Sequence, residues 1–255
     1  MKKNKQFTVL AEYYDLFNGA DYSGYADYVE RVFKAHGSGN EELLLDLACG
    51  TGRLTEELSE RGYDMIGADV SEEMLSLAMS RAYEKEQGIL YLKQDMRSFE
   101  LYGTVDAVIC SLDGISYLTE ISDVKKCFKL IYNYLNPGAL FLFDINSVYR
   151  FKEILSKRDF FLEEDGVYLG WKSELDEKSG VCEFDLTFFI EDGSGGYVRE
   201  EELQRERVWE KDGLCELLNE CGLETLAVYG GFDMHDAVET DEKWYFVCRC
   251  PFDKK

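Results

Sequence analysis

Two hydrophobic rhythms run along the chain. Between residues 38 and 147, short apolar runs alternate with longer amphipathic stretches. Leu43-Leu44-Leu45 is apolar at three consecutive positions and predicts a strand buried on both faces. Residues 63–69, 89–96, 106–110 and 139–145 repeat that signal. Residues 55–61, 71–87 and 121–135 have helical composition and end at Gly62, Gly88 and Asn136-Pro137-Gly138. Ser71 is a good N-cap, with Glu72 and Glu73 in the first turn where their charge suits the helix dipole. Strand and helix in alternation predict an α/β fold with a doubly wound parallel sheet.

From 149 to 208 the pattern shortens to period two. Residues 167–175, 181–190 and 197–208 read as three strands, joined by Asp176-Glu177-Lys178-Ser179-Gly180 and Asp192-Gly193-Ser194-Gly195-Gly196. This predicts an antiparallel insertion that leaves the fifth core strand at the carboxyl end of the sheet and stands over the active site as a lid. Its carboxylates, including Glu200-Glu201-Glu202, read as a solvated face. Residues 209–221 then give a helix, and 223–232 and 242–250 two closing strands. Upstream, residues 1–37 are aromatic and amphipathic, a helical cap on the sheet edge with Phe7, Leu10, Phe17, Val29 and Phe33 turned inward. The expected division is a core of residues 1–148 and 209–255 with an inserted unit of 149–208.

Composition narrows the partners. The 255 residues suit one large domain or a core with an insertion, and the net charge of -23 opposes contact with a phosphate backbone, so nucleic acid is not the expected substrate. No apolar run approaches the roughly 18 residues that span a bilayer, and Met1-Lys2-Lys3-Asn4-Lys5 leads into no apolar signal region, so a cytoplasmic protein without membrane partners is expected. The eight cysteines contain no C-x-x-C and read as reduced, mostly buried thiols, with no metal site expected.

Chemistry concentrates where the first strand ends. Asp46-Leu47-Ala48-Cys49-Gly50-Thr51-Gly52 places a glycine turn between a strand and a helix, where backbone faces a ligand and the helix dipole favours an anion. Asp69 ends the second strand 19 positions after Gly50, the spacing at which an acid reaches a bound ribose. A dinucleotide fold wants a third glycine, and Thr55 stands in its place. The segment resembles the first motif of the class I S-adenosylmethionine-dependent methyltransferases in its D-x-A-C-G-T-G variant, departing from the common form only at Ala48. Ala11-Glu12-Tyr13-Tyr14-Asp15 is similar to the A-x-x-Y-D segment that precedes the core in the small-molecule members.

The resemblance implies a Rossmann-like seven-stranded sheet with the last strand antiparallel, and S-adenosylmethionine as cofactor. It implies that Asp46, Ala48, Gly50, Gly52, Arg53, Asp69, Val70, Met74, Asp95, Met96, Ser111 and Leu112 bind that cofactor, with Asp95 meeting the adenine. Tyr14 would fold over the methyl-transfer site. Tyr22, Asp113, Tyr117 and Asn146 are the candidate acceptor contacts. The connection carrying His235 would lie on the cofactor face, where an imidazole suits proton removal near neutrality.

Methyl transfer displaces a thioether in line and needs no acid, so alignment and desolvation are what the protein must supply. An amine acceptor need only arrive neutral, whereas a hydroxyl needs a base such as His235 or a polar partner such as Tyr14. The expectation is a methyltransferase acting on nitrogen or oxygen of a small molecule, as a monomer or homodimer. A macromolecular acceptor, a cofactor binder without turnover and an NAD-dependent oxidoreductase are the competing readings.

Overall fold

The computed structural model describes residues 6–254. The Met1 to Lys5 segment, and with it the start of the expected cap, lies outside the described residues. Helices α1 (Val9–Phe17) and α2 (Tyr22–His36) lead into β1 (Leu43–Leu47), α3 (Arg53–Glu60), β2 (Asp64–Asp69), α4 (Glu72–Glu84), β3 (Leu90–Lys93), β4 (Val105–Cys110), α5 (Ile121–Tyr134) and β5 (Leu135–Asn146). After the second sheet, described below, the chain returns through α6 (Lys211–Glu220), which precedes the last two strands of the first sheet, Glu224–Tyr229 and Lys243–Arg249.

With β6 (Phe160–Glu164), β7 (Val167–Asp176), β8 (Val181–Glu191) and β9 (Tyr197–Arg207) in the second sheet, those last strands are β10 and β11, and the seven-stranded order is β10-β11-β5-β4-β1-β2-β3. Strands β1 to β5 pair in parallel, while β11 runs antiparallel to both β5 and β10. From β1 the chain winds one way through β2 and β3, then returns to lay β4 and β5 on the other side. A crevice therefore opens at the carboxyl ends of β1 and β4, the switch point where such sheets bind ligands. Both faces are covered, as three consecutive leucines require: Leu44 packs with Val29, Val32, Leu54 and Leu58, and Leu45 with Phe128, Phe141 and Phe143 on the opposite side. Phe143 stacks on Phe246 at 4.5 Å, which ties the antiparallel closing strand to the parallel core.

Two sequence expectations change here. Asn136-Pro137-Gly138 is not a free turn, since β5 begins at Leu135, which is buried and pairs with Val105. The Gly138 amide donates to the Cys250 carbonyl at 2.9 Å, and a register shift in the β4–β5 pairing accommodates the proline, which has no N–H to give. The inserted sheet has four antiparallel strands, β6 to β9, rather than three. The unforeseen β6 is a short edge strand, and its acidic Glu163-Glu164 end hid it.

The acidic run on β9 corrects a third expectation. Glu202 is fully buried, and its carboxylate accepts the backbone amides of Phe7 at 2.7 Å, Thr8 at 3.1 Å, Val9 at 2.7 Å and Leu10 at 3.1 Å. These are the amides around the first turn of α1, so β9 supplies the cap from a remote element. The apolar face of α1, through Val9, Leu10, Tyr13 and Phe17, packs on the same cluster as Leu169, Phe184, Leu186 and Phe188 of the second sheet. At the other end of α1, Asp15 accepts the Thr51 hydroxyl at 2.6 Å and pairs with Arg81 at 3.0 Å. Helix α1 thus bridges the inserted sheet and the glycine turn. No helix among the described residues is long and apolar enough to cross a membrane.

Candidate active site

The turn after β1 is shaped by its backbone. Ala48, Gly50 and Gly52 all take left-handed conformations, with φ of 59°, 55° and 75°. A Cβ at Gly50 would have only the Met74 sulfur, 4.0 Å away, so that glycine serves the turn and leaves its surface open. Gly52 has a different role. A Cβ there would come within 2.5 Å of the Tyr91 hydroxyl and 2.8 Å of Ala78, so it allows α3 to pack closely on its neighbours. Asp69 locks the turn to β2: Oδ2 accepts the Gly50 amide at 2.9 Å and Oδ1 the Ser71 amide at 2.8 Å.

These elements border a cavity of about 280 Å³ at the switch point. Ala48, Gly50, Asp69, Val70, Met74, Asp95, Met96, Ser111 and Leu112 line it, together with Tyr14, Tyr22 and Tyr117. Tyr22 is therefore on this side, its hydroxyl accepting from the Asn18 amide at 3.0 Å, and not among the walls of the second cavity. The Arg97 guanidinium beside Asp95 holds that carboxyl below the usual range.

A second cavity of about 220 Å³ lies between α1, the carboxyl end of β5 and the inserted sheet. Asp113 and Asn146 line it, and Tyr14, Leu112 and Tyr117 belong to both cavities. The wall between them is the segment after β4, where the consecutive non-glycine residues Leu112 and Asp113 have φ of 53° and 67°. Such strain of about 1–3 kcal/mol per residue persists only when neighbours fix it. Asp144 does so: Oδ1 accepts the Leu112 amide and the Tyr25 hydroxyl, both at 2.8 Å, and Oδ2 accepts the Asp113 amide at 3.3 Å. Lys243 Nζ then reaches Asp113 at 2.6 Å and Asp144 at 2.7 Å. Burial alone would lower this ammonium, but the two carboxylates outweigh it and hold it well above the ordinary lysine range.

Four expected site residues are placed elsewhere. Asp46 is fully buried beneath the turn, accepts the Thr55 hydroxyl at 2.6 Å and lines neither cavity. Gly52 lines neither, for the packing reason given. Arg53 projects outward, 3.9 Å from Asp15 and over the Tyr22 ring at 5.9 Å. His235 lies on an exposed loop outside both cavities, its Nδ1 2.6 Å from Asp233 and its Nε2 3.3 Å from Asp241. Its pKa is raised chiefly by Asp233, which favours the protonated ring.

Sequence reasoning missed Glu206, Lys243, Gln204, Trp171 and Arg150, all of which line the second cavity. Glu202, Gln204 and Glu206 occupy alternate positions of β9 and all turn inward, so the period-two signal was present but carried by polar residues.

A strand-ending carboxylate, an open glycine backbone, and thioether and aliphatic walls from Met74, Met96 and Leu118 suit the first cavity to an adenosyl group, and the second cavity adjoins it. Fold and site together define a class I S-adenosylmethionine-dependent methyltransferase. Residues 44–138 match the family model described as a methyltransferase domain. A protein of Geobacillus sp. (strain WCH70) classed as a methyltransferase is 31% identical over 94% of this chain and 98% of its own length. An S-adenosylmethionine-dependent methyltransferase from Clostridium acetobutylicum ATCC 824 superposes with a TM-score of 0.86 at 27% identity, covering 95% of this chain and 98% of that one. The dTDP-3-amino-3,4,6-trideoxy-alpha-D-glucopyranose N,N-dimethyltransferase of Streptomyces venezuelae is 30% identical over 51% of this chain and 54% of its own. The chain belongs to the S-adenosylmethionine-dependent methyltransferase family.

Proposed function

We propose that the protein transfers a methyl group to nitrogen or oxygen of a small molecule held in the second cavity. The observation that carries this reading is the shared wall: Tyr14, Leu112 and Tyr117 face both cavities, so groups bound on either side meet there. When bound, S-adenosylmethionine supplies an electrophilic methyl carbon whose sulfur leaves as a neutral thioether without help from an acid. Asp69 would hold the ribose hydroxyls, the backbone from Ala48 to Thr51 would face the amino-acid end, and Met74, Asp95 and Met96 would surround the adenine. Tyr14 would orient the acceptor. Burial first, and then the neighbouring acidic groups, keep its phenol well above the ordinary range, so it acts as a neutral hydroxyl rather than a phenolate.

Residues 149–208 would act as the lid. The inserted sheet contributes Trp171, Phe184 and Leu186 to the second cavity and thereby excludes water from the acceptor. The amino-sugar specificity in the name of the Streptomyces venezuelae relative supports a small-molecule acceptor. The test is mass spectrometry of reactions containing the protein, S-adenosylmethionine and a panel of small amines and alcohols. Gain of one methyl by a panel member, with S-adenosylhomocysteine formed in equal amount, is the expected result. Methylation confined to RNA or protein added to the same reactions would overturn it.

A further inference from the structure

We propose that the second cavity takes an acceptor amine in its protonated form, and that Glu206 Oε2 binds the ammonium and removes its proton; this rests on the reading of the two cavities above. Three buried oxygens in the cavity wall have no hydrogen-bond partner among the described residues: Glu206 Oε2, Asp113 Oδ1 and Asn146 Oδ1. They come from β9, the strained segment after β4 and the end of β5, so no single local turn explains them. With the two carboxyls ionised all three accept, and an unmet buried acceptor costs about 1–3 kcal/mol. The ligand that satisfies them must present N–H or O–H donors.

Charge narrows the donor to a cation. Lys243 is held between Asp113 and Asp144, and Arg150 pairs with Glu242. Glu206 faces the cavity without an ion-pair partner of its own among the described residues. Its Oε2 has no hydrogen-bond partner among the described residues and is left for a ligand. Two buried donors on the same wall, Trp171 Nε1 and Arg150 Nε, are also unmet and suit hydroxyl or ether oxygens. Phe17, Leu155, Leu169, Phe184 and Leu186 supply the apolar remainder. The inventory fits an amine that also carries oxygens on a compact body, as an amino sugar or amino alcohol does.

The electrostatics place Glu206 near the working range. Burial, then Asp113, push its carboxyl up to about 8, with Lys243 opposing. The other groups around it are Tyr14 of α1, Tyr117 after β4, Asn146 of β5, Arg150, Cys182 of β8 and Gln204 of β9. In the reaction the ammonium gives one proton to Glu206 Oε2, and the freed nitrogen lone pair forms the new N–C bond. The methyl carbon–sulfur bond breaks with its electron pair remaining on sulfur, and the proton passes from Glu206 to solvent.

The experiment is calorimetric titration of the protein saturated with S-adenosylhomocysteine. The probes are three isosteric pairs: glucosamine and glucose, benzylammonium and benzyl alcohol, cyclohexylammonium and cyclohexanol. In at least one pair the ammonium is expected to bind ten times more tightly or better, and for benzylammonium and cyclohexylammonium, which stay protonated there, the preference grows as the pH rises through about 8. E206Q should reduce that preference to within threefold, and E206D should retain part of it, with S-adenosylhomocysteine affinity unchanged in both. A wild-type protein that binds S-adenosylhomocysteine but shows no preference in any pair, including no binding of either member, overturns the amine proposal alone. So does an E206Q variant that keeps the preference. A wild-type protein that binds no S-adenosylhomocysteine overturns both readings.

Discussion

The carboxylate of Glu202 accepts the backbone amide of Val9 at 2.7 Å across 193 positions of sequence, which makes a strand of the inserted sheet the cap of the first helix. That helix carries Tyr14 into both cavities and Asp15 onto Thr51. The inserted sheet, the helix and the glycine turn are therefore one mechanical unit, and cofactor binding should sense the sheet through it. Glu202→Ala removes four acceptances at once from a buried site and should destabilise the protein by about 2 kcal/mol or more. Hydrogen exchange at residues 7–10 reports the local effect. Protection there should fall well before protection of β1, and unchanged exchange at these amides would show that the contacts do not hold the helix.

Asp69 is expected to hold the ribose through charge-assisted hydrogen bonds. Two such bonds at roughly 1.5 kcal/mol each give about 3 kcal/mol, on the order of a hundredfold in affinity, for Asp69→Ala. The structure adds a second route to the same loss, because Asp69 also fixes the Gly50 and Ser71 amides. Asp69→Asn keeps acceptors for part of that network and should fall between wild type and alanine. Titration with S-adenosylhomocysteine measures both variants, and a change below threefold in the folded alanine variant removes Asp69 from the site.

Tyr14 separates binding from turnover. Tyr14→Phe keeps the ring that walls both cavities and deletes the hydroxyl, so S-adenosylhomocysteine affinity should stay within threefold while kcat falls by about ten- to a hundredfold, the range of a lost orienting contact. Equal losses in cofactor affinity and kcat would assign the hydroxyl to cofactor binding instead.

What the sequence revealed, and what it hid, follows one physical division. The parallel core was legible because Leu43-Leu44-Leu45 and its repeats are buried on both faces and the glycine turn is punctuated by Asp46 and Asp69, all local signals. The four-helix-end amides capped by Glu202 and the network of Lys243, Asp113 and Asp144 were not, because each joins elements far apart in the chain. Polar residues at Glu202, Gln204 and Glu206 look like a solvated face to any periodicity argument, yet their face of β9 is turned toward α1 and the second cavity. His235 had the right chemistry for a base and a loop position at the correct end of the sheet. Its ring is instead engaged by Asp233 and Asp241.

Asp46 gives the pH-dependent prediction. It is fully buried, Oδ2 takes the Thr55 hydroxyl, and Oδ1 has no partner among the described residues. Burial, opposed by the Thr55 bond and reinforced by Asp69, pushes its carboxyl up to about 7. The ordinary aspartate value is about 4, so between about pH 4 and pH 7 the folded state binds a proton that the unfolded chain has released. Stability contributed by this group is then highest at low pH and falls as the pH rises through that window, by on the order of 4 kcal/mol once Asp46 is ionised in the fold. Asp46→Asn cannot ionise and keeps an oxygen for Thr55. Urea unfolding of both proteins at pH 5 and pH 8 isolates the term, because every other titrating group is common to the pair. The variant is expected to gain stability relative to wild type at pH 8 compared with pH 5. A difference between the two proteins that is the same at both pH values would mean that Asp46 ionises in the fold as readily as in the unfolded chain.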